Sequence, residues 1–109
     1  MLTPNIAIKN GNNYVFTNDG NILRLQSSGS YSKIILQDGQ THVIAKTLKE
    51  LESKLPSNFM RVHRSHVINL DHVLSISDTD GMKLTLSNKS TVPITKENKK
   101  LLFQRFKKL

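Results

Sequence analysis

The sequence predicts a small, mainly β domain in which short antiparallel strands are interrupted by one central helix and followed by a C-terminal helix. Residues that favour turns recur about every ten positions in the first part of the chain, with short apolar or alternating stretches between them. Helical spacing of apolar residues begins after Thr47 and again after Thr95. With 109 residues and no linker-like stretch, the chain is expected to form a single domain, residues 1–109.

Five strands are expected before the central helix. Asn, Asp, Ser and Gly residues form four candidate turns, at residues 10–13, 18–21, 27–30 and 38–39. The strands predicted on either side of these turns cover residues 5–9, 14–17, 22–25, 31–36 and 41–45. Because many short strands follow one another closely, an antiparallel architecture is favoured.

The central helix is predicted to begin at a capping box. Thr47 is followed three residues later by Glu50, so that each side chain can accept a hydrogen bond from the other residue's backbone amide. An apolar stripe at helical spacing follows, made of Leu48, Leu51 and Leu55. Pro56 is expected to end the helix, because the residue before a proline disfavours the helical conformation.

Strands are expected to resume after this helix. They cover residues 59–63, 73–77, 82–86 and 91–94. The tail from Lys96 onward is predicted to be helical, with Thr95 as its cap. Its apolar stripe contains Leu101, Leu102, Phe106 and Leu109, with Phe103 at the edge.

The charge balance is the strongest indication of a partner. Sixteen Lys and Arg residues against eight Asp and Glu give a formal net charge of +8, which favours nucleic acid or an anionic membrane face as a partner.

Cysteine is absent, which excludes disulfides and fits a reducing, cytoplasmic location. No apolar run approaches the roughly 20 residues of a membrane-spanning helix, so no membrane association of that kind is expected.

The sequence lacks the patterns of an enzyme or a metal site. No acid–base pair stands at motif spacing, and no Gly-rich phosphate loop or nucleophile elbow is present. His63 and His66 are three residues apart, a spacing that diverges on a strand, and no cysteine or nearby carboxylate completes a tetrahedral set. We therefore expect no catalytic activity, no cofactor and no metal.

The densest polar constellation lies between residues 59 and 70. In an extended segment Arg61 and His63 share one face, and a strand that ends near Arg64 releases Arg64 and Ser65 into a loop. Arginine is the preferred side chain for reading guanine in the major groove, and serine and histidine can donate to phosphates or bases. This segment is a candidate for contact with nucleic acid.

Two further segments have both a functional and a purely structural interpretation. The loop at residues 26–33 carries hydroxyls, Tyr31, Lys33 and no acid, so it is either a flexible surface hairpin or a loop that enters a major groove. Six of the last fourteen residues are basic, and this tail is either a solvated helix face, an anchor for phosphates or a membrane-surface contact.

These observations leave the partner open between duplex DNA and two alternatives. One alternative is a non-enzymatic module that binds RNA or single strands by stacking bases on aromatic side chains, most of which are expected in the core of this protein. The other is a module that binds an anionic surface or a protein through the last helix.

The central segment also resembles a known family. "FMRVHRSHVINL" at residues 59–70, preceded by "TLKELESKLP" at residues 47–56, closely resembles the signature of the LytTR DNA-binding domain. The order of strands, helix, motif, an apolar "VIN" turn at residues 67–69, hairpin, "VPIT" and basic tail matches from about residue 6 to the C-terminus. The resemblance implies about ten strands in an elongated stack of small antiparallel sheets with a short central helix and a C-terminal helix.

The resemblance also implies a function. Members of the family typically form the output domain of bacterial two-component response regulators and bind imperfect direct repeats in promoters, with loops that enter successive major grooves. The implied partner is double-stranded DNA, with a possible receiver domain in a longer chain and a possible weak dimer on DNA.

The family pattern assigns site residues. It implies that bases are contacted by Tyr31, Arg64 and Lys96. The expected loop and DNA-backbone contacts are Ser30, Ser32, Lys33, Arg61, His63, Ser65, Lys99 and Lys100. One strand departs from the family pattern "IxYIEA", since residues 22–27 read "ILRLQS" and so lose a glutamate and gain a cation.

Overall fold

The computed structural model describes residues 3–79 and 81–109. Within these ranges the chain forms ten strands in three antiparallel sheets, together with two α-helices. The strands are β1 (Ile6–Asn10), β2 (Asn13–Thr17), β3 (Ile22–Ser28), β4 (Tyr31–Leu36), β5 (Thr41–Ile44), β6 (Phe59–His63), β7 (His66–Asn69), β8 (Val73–Ser77), β9 (Lys83–Leu86) and β10 (Thr91–Pro93). The helices are α1 (Leu48–Glu52) and α2 (Lys96–Phe103). The predicted mainly β fold is confirmed.

A five-stranded sheet in the order β5-β4-β3-β7-β6 lies between two other layers. One of its faces packs against the β1–β2 hairpin and α1, and their shared core includes Ile8, Leu25 and Leu51. The opposite face packs against the β10-β9-β8 sheet and α2, around Val62, Leu84 and Leu102. The molecule is therefore a stack of small sheets, with extents of 44 × 35 × 24 Å.

Strand β7 shows why both faces of this sheet are buried. Val67 belongs to the core beneath α1, whereas Ile68 belongs to the core beneath α2. A strand buried on both faces carries a continuous apolar run rather than an alternating pattern. The sequence prediction of a turn at residues 67–69 was wrong for this reason.

Both helices are shorter than their sequence patterns predicted. The capping box of Thr47 and Glu50 is present, but α1 ends at Glu52, and Leu55 packs against the core from the turn that follows. Helix α2 begins at its predicted cap and ends at Phe103. In α2 and the tail beyond it only Leu102 is fully buried, while Leu101, Phe106 and Leu109 are exposed.

The aromatic residues also differ from the prediction. Tyr14 and Phe16 are 58% and 68% exposed, because they alternate with the inward-facing residues of β2 on a hairpin that is covered on one face only. Tyr31 and Phe106 are exposed as well, and Phe59 is the aromatic residue buried among those described.

One end of the central sheet is acidic and is fixed by a buried asparagine. Asn69 is fully buried. Its amide donates to the backbone oxygens of Asp19 and Ile22, at 3.1 and 2.9 Å, and its side-chain oxygen accepts from Asn58 and Asp71.

Asp38 lies in the β4–β5 turn at the same end, where the backbone of Gln37 bonds to that of Asn21. We call this region, which contains Asp19, Asp38 and Asp71, the acidic end.

Candidate nucleic-acid interface

Two hairpin turns lie side by side at the end of the central sheet opposite the acidic end. The β3–β4 turn contains Gly29 and Ser30, and the β6–β7 turn contains Arg64 and Ser65. Because β3 and β7 are antiparallel, with the Ser27 amide donating to the Ser65 carbonyl at 3.0 Å, both turns project in the same direction. We call this end, together with the start of α2, the basic end.

The start of α2 is held next to the β6–β7 turn. The Thr95 amide donates to the carbonyl of Val62 at 3.2 Å, two residues before Arg64. The Thr95 hydroxyl caps the helix by accepting from the Asn98 amide at 3.1 Å. Lys96 therefore begins the helix beside the strand that leads into Arg64. Across the basic end the order is Tyr31, Arg64 and Lys96, and all three side chains are exposed.

Two of the residues predicted to contact the DNA backbone, Arg61 and His63, organise the β6–β7 turn. The Arg61 guanidinium donates to the carbonyls of His63 and Arg64, and it forms an ion pair with Glu52 of α1 at 2.9 Å. His63 accepts the Ser65 amide on Nδ1 at 3.1 Å. With its turn carbonyls and amide satisfied in this way, the loop presents the Arg64 side chain outward in a fixed geometry.

The β3–β4 turn is shorter than the predicted turn at residues 27–30, whereas β4 begins at Tyr31 as predicted. Gly29 has φ +63°, a conformation that favours glycine, so two residues suffice for the turn and β3 extends to Ser28. Ser32 consequently points into the core, is fully buried and donates its hydroxyl to the Lys46 carbonyl at 2.7 Å. The Ser32 hydroxyl thereby holds β4 to the loop after β5, so contact between this side chain and DNA stays a prediction that its burial does not favour.

The cations of α2 are not equivalent. Lys99 forms an ion pair with Asp78 in the segment after β8, and 24% of its side chain is exposed. Lys96 and Lys100 are exposed. Since a paired lysine has part of its charge neutralised, Lys100 carries more unopposed positive charge than Lys99.

Replacing Asp78 by asparagine is expected to raise affinity for any DNA duplex about twofold to threefold, because it releases Lys99 and removes one negative charge beside α2. Fluorescence anisotropy with a labelled duplex measures the change. The matched control is Asp38→Asn at the acidic end, which removes the same charge and should have little effect. Equal gains in DNA affinity in the two variants would show that affinity depends on net charge and not on the ion pair with Lys99.

A row of polar side chains crosses the face of the central sheet just behind the two turns. Gln26 of β3 is the cross-strand partner of Lys33 on β4 and of His66 on β7. Arg24 lies two residues earlier on β3, on the same face, and donates to the Gln26 side-chain oxygen at 2.8 Å. We call these four half-buried residues, Arg24, Gln26, Lys33 and His66, the polar row.

The surroundings of the polar row disfavour the charged forms of two of its side chains. Burial lowers the pKa of the Arg24 guanidinium below its ordinary value. Burial also lowers the pKa of His66, and the positive charges of Arg24 and His63 lower it further. The rings of His63 and His66 lie 5.5 Å apart. His66 is therefore uncharged near neutral pH in the free protein.

The lowered pKa of His66 predicts a loss of stability in mild acid. In the unfolded chain this histidine takes up a proton near its ordinary pKa of about 6.5, but in the folded protein it does so only at lower pH. The unfolded state thus binds more protons in that interval, so stability is full above it and decreases as the pH falls through it. Urea unfolding of the native chain and of His66→Gln should show a smaller loss in the variant; identical pH profiles would contradict the assignment.

The site residues predicted from the sequence do not include Arg24, Gln26 or His66. The signal was present in the "ILRLQS" strand, where a cation replaces an aromatic residue and an amide replaces an acid of the family pattern. Their assembly with Lys33 depends on the register of three strands, which is not visible locally.

Comparison with known proteins identifies the family. The sequence model of the LytTr DNA-binding domain matches residues 12–107. The chain belongs to this family. The fold of a solved LytTr DNA-binding domain from a Bacillus cereus response regulator also matches that of the present LytTR domain, with a TM-score of 0.77 and 21% identity over 94% of this chain and 95% of that one.

Several regulators contain a similar sequence. The sensory transduction protein LytT of Bacillus anthracis is 41% identical over 70 residues, which are 58% of this chain and 28% of that protein. LytT of Bacillus subtilis is 29% identical over 104 residues, covering 89% of this chain and 43% of the relative. The heme-containing CO-sensing transcriptional regulator RcoM 1 of Paraburkholderia xenovorans is 25% identical over 95 residues, covering 84% and 35%. The LytTR domain thus spans less than half the length of these relatives.

Neither helix in the described ranges has the length and apolar composition needed to cross a membrane.

Proposed function

We propose that this LytTR domain binds double-stranded DNA sequence-specifically as the output part of a bacterial transcription regulator. In this proposal the side chains of Tyr31, Arg64 and Lys96 contact bases, and the outer two enter successive major grooves of a direct-repeat promoter site. Ser30, Ser65, Lys33 and Lys100 contact the DNA backbone. Arg61 and His63 act indirectly, by fixing the turn that carries Arg64.

The observation that carries the proposal is the convergence of three chain segments at the basic end. Two hydrogen bonds tie them together, from Ser27 to Ser65 and from Thr95 to Val62. An exposed arginine on a turn that is held by side-chain hydrogen bonds is suited to bidentate contact with guanine, and neighbouring lysines are suited to contact with phosphates. The names of the relatives, which are sensory transduction proteins and a transcriptional regulator, support a regulatory role.

Selection of bound duplexes from a random pool tests this proposal. Recovery of a direct repeat whose half-sites are spaced by a helical turn would support groove reading by several loops on one DNA face. A pool that stays random after repeated rounds, with binding that depends only on salt, would contradict sequence-specific recognition. Sedimentation of the complex on one and two half-sites would test the weak dimer that tandem sites imply.

The exposed pair Tyr14 and Phe16 favours binding of RNA or single strands as a second candidate function. These rings lie two residues apart on the outer face of β2, and Lys9 is the cross-strand partner of Tyr14. Exposed aromatic residues beside a cation form the kind of surface on which unpaired bases stack. A gel shift that compares duplex DNA, single strands and RNA separates the candidates, and Phe16→Ser should weaken only the stacking mode.

A further inference from the structure

The described residues do not balance the positive charges of the polar row. Arg24 donates to a neutral amide, and among the residues that the structure describes no carboxylate opposes the lowered pKa of Arg24 or of His66. Arg24 Nε and His66 Nδ1 are shielded from solvent and have no hydrogen-bond partner in the described part of the chain. Buried charges and polar atoms are normally paired, because an unpaired one costs free energy. Arg24 Nε–H can only donate, so its partner would be an anion or another hydrogen-bond acceptor, and His66 Nδ1 needs the same kind of partner when it carries a proton.

The position of the polar row indicates where that partner comes from. Gln26 is two residues from the end of β3, so the row lies roughly 7 Å behind the turns at about 3.3 Å per residue. It occupies the sheet face between the turn that leads into Tyr31 and the turn that carries Arg64. A duplex that contacts both of these residues must pass its backbone close to this face.

We propose that the polar row is a phosphate-binding site, occupied by a backbone phosphate of the bound duplex between its contacts with Tyr31 and Arg64. This inference rests on the proposed function. The guanidinium of Arg24 and the ammonium of Lys33 supply charge, and Gln26 and His66 supply additional donors. Guanidinium, amide and imidazole donors are those that proteins use most often for phosphate oxygens.

Occupation of this site couples DNA binding to proton uptake. The charged or titratable groups that act on His66 are Arg24 from β3 and His63 from β6, with Lys33 of β4 beyond Gln26, and they disfavour its protonation in the free protein. A phosphate at the row reverses this effect, since an adjacent anion favours the imidazolium form. Affinity for DNA should therefore rise as the pH falls from about 8 toward 6.

Duplex binding by Arg24→Gln tests the site. On specific and scrambled duplexes alike we expect affinity to fall about threefold to tenfold and the slope of log affinity against log salt to decrease by about one. Arg24→Lys should restore most of the slope, and Lys89→Gln, an exposed turn lysine near the acidic end, should leave it unchanged. His66→Gln should flatten the pH dependence of DNA affinity.

An unaltered salt slope in Arg24→Gln, measured under conditions in which the native chain binds DNA, would overturn the inference. Absence of DNA binding by the native chain would instead refute the proposed function.

A second measurement separates a DNA phosphate from a free anion. NMR signals of the His66 imidazole and the Arg24 Nε–H are followed while inorganic phosphate or duplex is added to the native chain. We expect the duplex to shift both signals at concentrations at which inorganic phosphate has no effect. Saturation by inorganic phosphate, combined with native DNA affinity in Arg24→Gln, would mean that the site binds a free anion only and would overturn the assignment to the DNA backbone.

Discussion

Arg64→Ala is expected to weaken binding to the selected duplex by about 1–3 kcal/mol, with a much smaller loss on a scrambled duplex. The reason is that a bidentate contact with a base discriminates between sequences, whereas a phosphate contact does not. The turn around this residue is held by Arg61 and His63, so truncating the Arg64 side chain should leave the loop conformation intact. Anisotropy titrations on both duplexes measure the difference.

Two variants sharpen this test. Arg64→Lys keeps the charge but loses the planar pair of donors, so it should retain binding to scrambled DNA and lose most of the specificity. Arg105→Ala removes an exposed arginine that bonds to the Ser57 carbonyl, away from the turns, and it should affect both duplexes little. Equal losses on the two duplexes for Arg64→Ala would count against base reading at this position.

Asn69→Ala is expected to lower the free energy of unfolding by about 3 kcal/mol, which is a large share of the roughly 5–15 kcal/mol typical of a domain. The substitution leaves the Ile22 carbonyl without its partner in the buried interior, and it removes the bonds to the Asp19 carbonyl and the Asp71 amide at a partly buried position. Loss of these bonds should also loosen the contacts that join β3 to the end of β7. Urea denaturation monitored by circular dichroism gives the value.

Asn88→Ala provides the matched control. This exposed asparagine accepts hydrogen bonds only from Ser90 in its own turn, so its replacement should cost less than about 1 kcal/mol. A loss of similar size in both variants would show that the bonds made by Asn69 do not contribute specially to stability.

The local signals in the sequence predicted local structure well. The capping box at Thr47, the cap at Thr95 and the release of Arg64 and Ser65 into a turn are confirmed. Each depends on residues within one turn of the backbone, where side-chain chemistry decides the conformation. The mainly β fold followed from the spacing of such signals and from the family resemblance.

The features that the sequence did not predict depend on distant parts of the chain. Burial of β7 on both faces requires two separate cores, and the inward orientation of Ser32 requires the tight turn at Gly29 together with the β5 connection. The polar row joins side chains from three strands through their register. Non-local pairing of this kind is set by the packing of the whole sheet, which one sequence does not display.

The opposed charges at the two ends of the central sheet have a kinetic consequence. Asp19, Asp38 and Asp71 lie at one end and Arg64 and Lys96 at the other, which gives the molecule an electric dipole along the strands. In the field of a polyanion this dipole turns the positive end toward the partner before contact, so a larger fraction of diffusional collisions is productive. Association rates, more than dissociation rates, should therefore respond to neutralising the three aspartates.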